Sequence, residues 1–300
     1  MRGRACAVIL ANAVLTHFNP RQNRRVEDRH LNMPPDRSTE LAPASSPAGV
    51  PLRPLALADI GRWLALGWRD FTRAPAIGFF YGGCFALMGW ALLAAFQYAP
   101  VYVLALAAGF LLVGPFLCMG LYRVSQHLER GEAPDFADSL IAWTTRTGSL
   151  AIFGFTLLVI EMIWSRVALV IFAVSFDGMP DFKGSLLALL DPQNLNFIVA
   201  YLAAGAVFAG LIFAVSVVSI PMILDQPVDA ITAGLTSLRL TLAQPLVMLA
   251  WGAIITVLVV LAMLPWFLGL LVAGPVLGHA SWHAYRGAVD SPAAPPAATA

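Results

Sequence analysis

The sequence predicts an all-α fold, a polytopic membrane helix bundle with interfacial amphipathic helices, and three observations carry that expectation. Six apolar stretches between Pro75 and Tyr285 are each long enough to cross a bilayer. Apolar residue types make up 59% of the 300 residues and charged ones 12%, whereas a water-soluble domain carries about 25% charged residues. Mean hydropathy is +0.76. A helix of roughly 20 apolar residues spans ~30 Å of hydrocarbon and satisfies its backbone polar groups within the segment, which that solvent demands.

Residues 1–51 read as a disordered tail, with polar Arg21-Gln22-Asn23-Arg24-Arg25 and Pro/Ser/Ala-rich Ala42-Pro43-Ala44-Ser45-Ser46-Pro47. Arg2 and Arg4 followed by Ala5–Leu15 mimic the charged and apolar regions of a signal peptide, but a charged stretch follows without a convincing small-residue cleavage site. Met33 offers an alternative start that would make residues 1–32 an artefact of gene calling. Residues 52–288 form the expected membrane domain, and 289–300 a second disordered tail rich in Pro and Ala.

Residues 58–73 place Ile60, Trp63, Leu64, Gly67, Trp68 and Phe71 at helical spacing on one face. Asp59, Arg62, Arg69, Asp70 and Arg73 occupy the other. Too charged to span, this segment is expected to lie in the headgroup layer, a depth that suits Trp63 and Trp68. The expected spans are 75–97, 100–123, 149–174, 196–224, 245–264 and 267–285. The first pair joins at Tyr98-Ala99-Pro100 and the last near Leu264-Pro265-Trp266, links so short that they force antiparallel neighbours.

Orientation follows from the basic residues of the short loops. One side carries Arg53, Arg62, Arg69, Arg73, Arg123, Arg130, Arg146, Arg239 and Arg286. The other carries Lys183 beside Asp177, Asp181 and Asp191. The asymmetry puts both termini in the cytoplasm.

An internal repeat is also expected. Asp59, Arg69 and Pro75 recur as Asp229, Arg239 and Pro245 at a constant offset of 170. Gly109, Gly114, Pro115 and Leu117 recur as Gly269, Gly274, Pro275 and Leu277 at an offset of 160. A fainter middle copy runs from Phe136, Leu140 and Trp143 to Pro221. The unit would be an interfacial helix followed by a two-span hairpin. An even number of crossings makes such copies parallel. Pro115, Pro221 and Pro275 each remove a backbone hydrogen bond within a span. Gly78-x3-Gly82, Ala206-x3-Gly210 and Gly274-x3-Gly278 offer close helix contacts.

Few residues could carry chemistry. Glu161 lies near the middle of the third span, where an ionised carboxylate costs at least about 2.5 kcal/mol. It reads either as a proton- or cation-handling group or as a polar anchor between helices. Arg166, five residues on, is about 140° around the helix from it and so lies off its face. His279 and His283 share a helical face and could present two imidazoles to a metal or haem. Two ligands are too few, and no other span carries His or Cys at matching spacing, so no metal is assigned. Their other reading is an interfacial belt at the cytoplasmic end of the last span. Ser216 and Ser219 suit bonds to carbonyls four residues back. Cys6, Cys84 and Cys118 show no paired spacing. No phosphate loop, zinc-protease motif or C-x2-C pair occurs.

Gly67-Trp68-Arg69-Asp70-Phe71 through Pro75-Ala76, then Gly114-Pro115-Phe116-Leu117 with Gly120-Leu121-Tyr122, and finally Gly274 through His283 together resemble the bacterial predicted integral membrane proteins grouped as domain of unknown function family 2189. The resemblance covers about residues 55–288. It implies an inner-membrane location and brings no activity with it.

The expected function is that of a small transporter, permease-like component or membrane scaffold, without catalysis. Two alternatives stand beside it: a haem- or metal-binding redox protein using His279 and His283, and a lipid-acting enzyme with Glu161 as acid or base. No cofactor is expected. The lipid bilayer is the expected partner, with room for a homo-oligomer or another membrane protein. A net charge of +1 gives no field that would attract nucleic acid.

Overall fold

The computed structural model describes residues 50–98, 103–175 and 195–290. The expected tails over 1–49 and 291–300, the turn at Ala99-Pro100, the loop with Lys183, Asp177, Asp181 and Asp191, and the readings on Cys6 and Met33 lie outside the described residues. Among the described residues every regular element is helical, and a single antiparallel bridge links Leu52 to Val289.

Helix α1 spans Leu57–Arg73 and α2 spans Pro75–Tyr98. Asp59 accepts a 2.8 Å bond from the Ala56 amide and starts α1. Ile60, Trp63, Gly67 and Phe71 are buried as expected. Two residues depart from the expected faces. Trp68 is 53% exposed, while Asp70 is only 1% exposed. Helical periodicity explains both. Asp70 follows Trp63 by two turns and shares its stripe; Trp68 falls three turns after exposed Leu57. Polarity alone had sorted them the other way.

Helix α3 covers Val103–Arg130, and a short α4, Phe136–Leu140, leads through a 3-10 turn at Ala142–Arg146 into α5, Thr147–Ser175. Helix α6, Leu195–Ser216, runs beside α5. Trp164 packs its ring on Tyr201 and Phe208, with centroids 5.2 and 5.5 Å apart. The expected span 196–224 falls on the apolar helical stretch Leu195–Asp225, which a two-residue turn interrupts. After Ser216 the chain turns at Val217-Val218 and restarts as α7, Ser219–Asp225. Pro221 therefore lies in the first turn of a new helix, where a missing N–H costs little. Hydroxyls bridge the break. Ser216 and Ser219 donate to Ile212 and Val215 carbonyls, as the spacing predicts, and Ser237 donates to the Ala214 carbonyl at 2.7 Å.

Helix α8, Ala230–Ala243, is capped by Asp229, whose carboxylate accepts from the Ile231 and Thr232 amides. Helix α9 follows at Pro245–Met263 and α10 at Leu270–Ala288. Between them Trp266 and Phe267 take left-handed φ values of 54° and 63°, each costing about 1–2 kcal/mol. Trp90 donates a 2.7 Å bond to the Trp266 carbonyl, and the Phe267 ring fills the space above Gly89.

Helix α10 is the centre of the packing, in contact with α1, α2, α3, α7 and α9. A Cβ on Gly67 would stand 2.6 Å from the Val276 carbonyl oxygen, and one on Gly82 would stand 2.2 Å from that of Leu271. Only glycine lets α1 and α2 approach so closely. Pro275 lacks the N–H that would bond the Leu271 carbonyl, and the Gly82 backbone abuts that same carbonyl. Gly210, by contrast, has nothing within 4 Å of its Cβ position among the described residues.

Four helical stretches are long and apolar enough to cross a membrane: Pro75–Tyr98, Ala142–Ser175, Leu195–Asp225 and Pro245–Met263. The remaining two expected crossings fall on α3 and α10. The last ten or so residues of α10 are polar because protein rather than lipid covers them: His279, Trp282, His283 and Tyr285 are all buried.

Candidate functional site

The polar residues of α1, α3, α7 and α10 meet at one end of the bundle. His283 Nε2 lies 2.7 Å from Asp70 Oδ2, across 213 residues of sequence. His279 Nδ1 lies 2.8 Å from the Ser125 hydroxyl. Burial by itself would raise the Asp70 carboxyl. The hydrogen bond and charge of His283, with Ser125 also close, more than offset that and hold it below its ordinary 3.8. Asp70 Oδ1 is buried without a hydrogen bond, with Arg69 Nη2 at 3.5 Å.

Beside this pair runs a chain of charged and amide groups. Arg123 Nε donates to Asp138 at 2.6 Å and its Nη1 to Gln126 at 2.8 Å. Gln126 donates to Asp225 Oδ1 at 3.0 Å, and the Tyr285 hydroxyl donates to Asp225 Oδ2 at 2.8 Å. Arg286 donates to Glu129 at 3.1 Å and to Asp225 at 3.4 Å; Trp282 Nε1 donates to Glu129 at 3.2 Å. The Arg123 hydrogen bond holds the Asp138 carboxyl below its ordinary 3.8. Nearly every donor and acceptor here has a partner, as buried polar groups require.

Over the pair opens a cleft of about 550 Å³. Arg62, Leu66 and Arg69 of α1 form one wall, Arg286 and Gly287 of α10 another, and His283 and Glu129 also line it. The segment Arg53-Pro54-Leu55 closes the third side. It is pinned there by the Arg53 amide on the Ala288 carbonyl at 2.9 Å and by Gln244, which accepts from the Leu55 amide at 2.6 Å and donates to the Arg53 carbonyl at 2.8 Å. Arg53 also pairs with Asp290.

The structure brings His279 and His283 into the protein interior instead of an interfacial belt, His279 being 0% exposed. Each imidazole faces a different protein partner, and among the described residues no three His, Cys, Asp or Glu side chains group as a metal site. Glu161 stands apart from this end, on α5. It is 7% exposed, near Tyr201 of α6, and lines neither the basic cleft nor a second, apolar groove of about 290 Å³ between α2, α3 and α4. Arg166 is exposed and makes no ion pair among the described residues. Pro115 and Pro275 sit within α3 and α10. Gly274 faces the Phe85 ring, whereas Gly114 meets nothing within 4 Å among the described residues.

Sequence reasoning passed over Asp70, Ser125, Gln126, Glu129, Asp225 and Tyr285. A signal was present: Arg123, Glu129, Asp225 and Arg286 all follow the apolar runs on the side assigned to the cytoplasm. Charges at the ends of neighbouring helices on one side of a membrane can reach one another.

Fold and site together define an integral membrane protein of packed α-helices with a charged cleft at one end. Residues 102–225 match the model of the family described as predicted integral membrane protein (DUF2189). The match runs from α3 to the end of α7, narrower than the resemblance read from the residues, and leaves out α1 and α10, which build most of the cleft. No curated protein matches the chain, and no solved structure does.

Proposed function

We propose that the chain is a six-span protein of the bacterial inner membrane with both termini in the cytoplasm. It works without catalysis, as a small permease-like component or membrane scaffold whose working surface is the basic cleft. The observation that carries this reading is the cleft itself. Its volume of about 550 Å³ falls in the range of small-molecule sites, about 300–1,000 Å³. Its walls are charged, in a protein otherwise poor in charge.

Six crossings are supported by the 19 residues of α10, about 28 Å of helix, and by the 28 residues of α3. The polar end of α10 is no obstacle, since polar residues in membrane helices are tolerated where they face protein. The orientation is supported by the gathering of Arg53, Arg62, Arg69, Arg123 and Arg286 at one end. A membrane domain covering about 52–288 is supported by the Leu52–Val289 bridge, which ties its two ends together. The parallel repeat of two-span hairpins is supported by matching joints between α1 and α2 and between α8 and α9. Ala74 has φ −131°, ψ 56° and Gln244 has φ −134°, ψ 57°.

Two measurements test the reading. Single cysteines at Leu52 and Asp290 should both be labelled from the cytoplasmic side of spheroplasts; labelling on opposite sides ends the even-crossing topology. For the cleft, the full chain in nanodiscs is screened by thermal unfolding against small anions, cations and neutral solutes. A ligand should stabilise the wild type and fail to stabilise an Arg62→Ala/Arg69→Ala variant. No stabilising ligand from any class would remove the cleft as the working surface. The redox alternative draws no support from two imidazoles tied to separate partners, and a visible spectrum without a Soret band is the expected outcome.

A further inference from the structure

We infer that the cleft recognises a phosphate-bearing anion and that Arg62 and Arg69 are the residues that grip it. The inference rests on the cleft being a ligand-binding surface. Four guanidinium groups line it, but they are not equivalent. Arg53 is engaged by Asp290, and Arg286 by Glu129 and Asp225. Arg62 makes no ion pair among the described residues, and Arg69 reaches only Asp70 Oδ1, at 3.5 Å.

Two carboxylates line the cleft beside them: Glu129 accepts from Arg286 and Trp282, and Asp59 accepts from the Ala56 amide. Asp70 is buried against His283. Among the lining side chains guanidinium groups thus outnumber carboxylates four to two.

Arg62 and Arg69 are seven residues apart, two helical turns or about 10 Å along one flank of α1, with Leu66 between them. Guanidinium forks match the oxygens of carboxylate and phosphate. One fork satisfies a monocarboxylate. Two forks at this spacing, in a volume well beyond a single small ion, suit a larger anion with several oxygen faces, such as a phosphate ester or diester. Another flank of α1 carries exposed Leu57 and Trp68, the residue types that suit a helix lying in the headgroup layer. The phosphate can therefore arrive in two ways, on the headgroup of an anionic lipid or on a soluble phosphorylated molecule. Basic pockets at this depth recognise lipid phosphates.

The test uses the full chain in phosphatidylcholine nanodiscs with two probes. Inorganic pyrophosphate is titrated calorimetrically, and phosphatidylglycerol is doped into the disc and its retention followed by native mass spectrometry. At least one probe should bind the wild type, and Arg62→Ala/Arg69→Ala should weaken it by at least about tenfold. Both side chains are exposed, so the variant should fold like the wild type. Arg73→Ala, which removes one positive charge from α1 outside the cleft against two in the double variant, should change affinity less than about twofold. Binding of pyrophosphate alone identifies a soluble ligand; binding of phosphatidylglycerol alone identifies the lipid. An equal loss in Arg73→Ala would reduce the effect to general surface charge and overturn the inference. If citrate binds in an Arg62- and Arg69-dependent way while neither phosphate probe does, the cleft stands and the phosphate assignment falls. If no probe binds, the phosphate inference falls, and the cleft as working surface falls with it only if the wider solute screen also finds no ligand.

Discussion

Helices α1 and α8 deliver the chain into the next helix through the same joint and carry different residues to it. Ala74 and Gln244 share φ and ψ to within a few degrees, and each backbone N–H reaches back four residues, to Asp70 and Leu240. Pro75 and Pro245 start the next helix and disfavour a helical conformation in the residue before them. Asp70 and Leu240 thus hold equivalent places and are equally enclosed, at 1% and 0% exposure. One is a carboxylate facing an imidazole; the other lies in the apolar cluster with Met248 and Trp251. The backbone joint belongs to the scaffold, and the side chain in the slot is where the two ends of the molecule diverge.

Moving the carboxylate to the other slot should have the largest effect. Leu240→Asp buries a charge with no imidazole opposite and should cost several kcal/mol, read as loss of monodisperse protein after extraction; wild-type behaviour would mean the slots are not equally closed. Asp70→Leu should cost about 3 kcal/mol by leaving His283 without its partner. Adding His283→Leu should recover most of that, and thermal unfolding of the two variants checks it. A double variant no better than the single would mean the pair does more than satisfy itself.

A smaller effect separates two glycines of α1. Gly67→Ala forces a Cβ to 2.6 Å from the Val276 carbonyl and should cost about 1–3 kcal/mol. Gly61→Ala meets nothing within 4 Å and should be neutral or slightly stabilising.

Acid should weaken the Asp70 end. The Asp70 and Asp138 carboxyls both sit below their ordinary 3.8 in the folded protein. Their stabilisation is complete above that value and is lost as pH falls through the lowered folded values. Unfolding midpoints should therefore drop below about pH 3.8, with a shallower fall in Asp138→Asn. The smallest expected effect is at Glu161. Glu161→Gln should keep wild-type expression and stability, whereas Glu161→Ala should lose about 1 kcal/mol. Equal, wild-type behaviour of both would argue against an anchor role.

Much of the helical layout was legible. Pro75 and Pro245 open α2 and α9 where the sequence places those spans, because proline at the first helical position loses no hydrogen bond. The link near Leu264-Pro265-Trp266 was legible for the same kind of local reason. The break before Pro221 was not. Hydropathy runs unbroken across Ser216–Ser219, and the turn survives because Ser237, from α8, donates to the Ala214 carbonyl. The basic cleft was half legible: its arginines were assigned to one side, but not which of them would be neutralised.

By itself the sequence determined the solvent. Apolar length is summed along the chain, and it acts on each helix whatever its neighbours are. Which polar residues became interior was decided only by tertiary packing. Asp70 and His283 are 213 positions apart, and Gly67 must admit α10 before they can meet. A buried carboxylate–imidazole hydrogen bond is a property of two helices in contact, so no periodicity within either one encodes it.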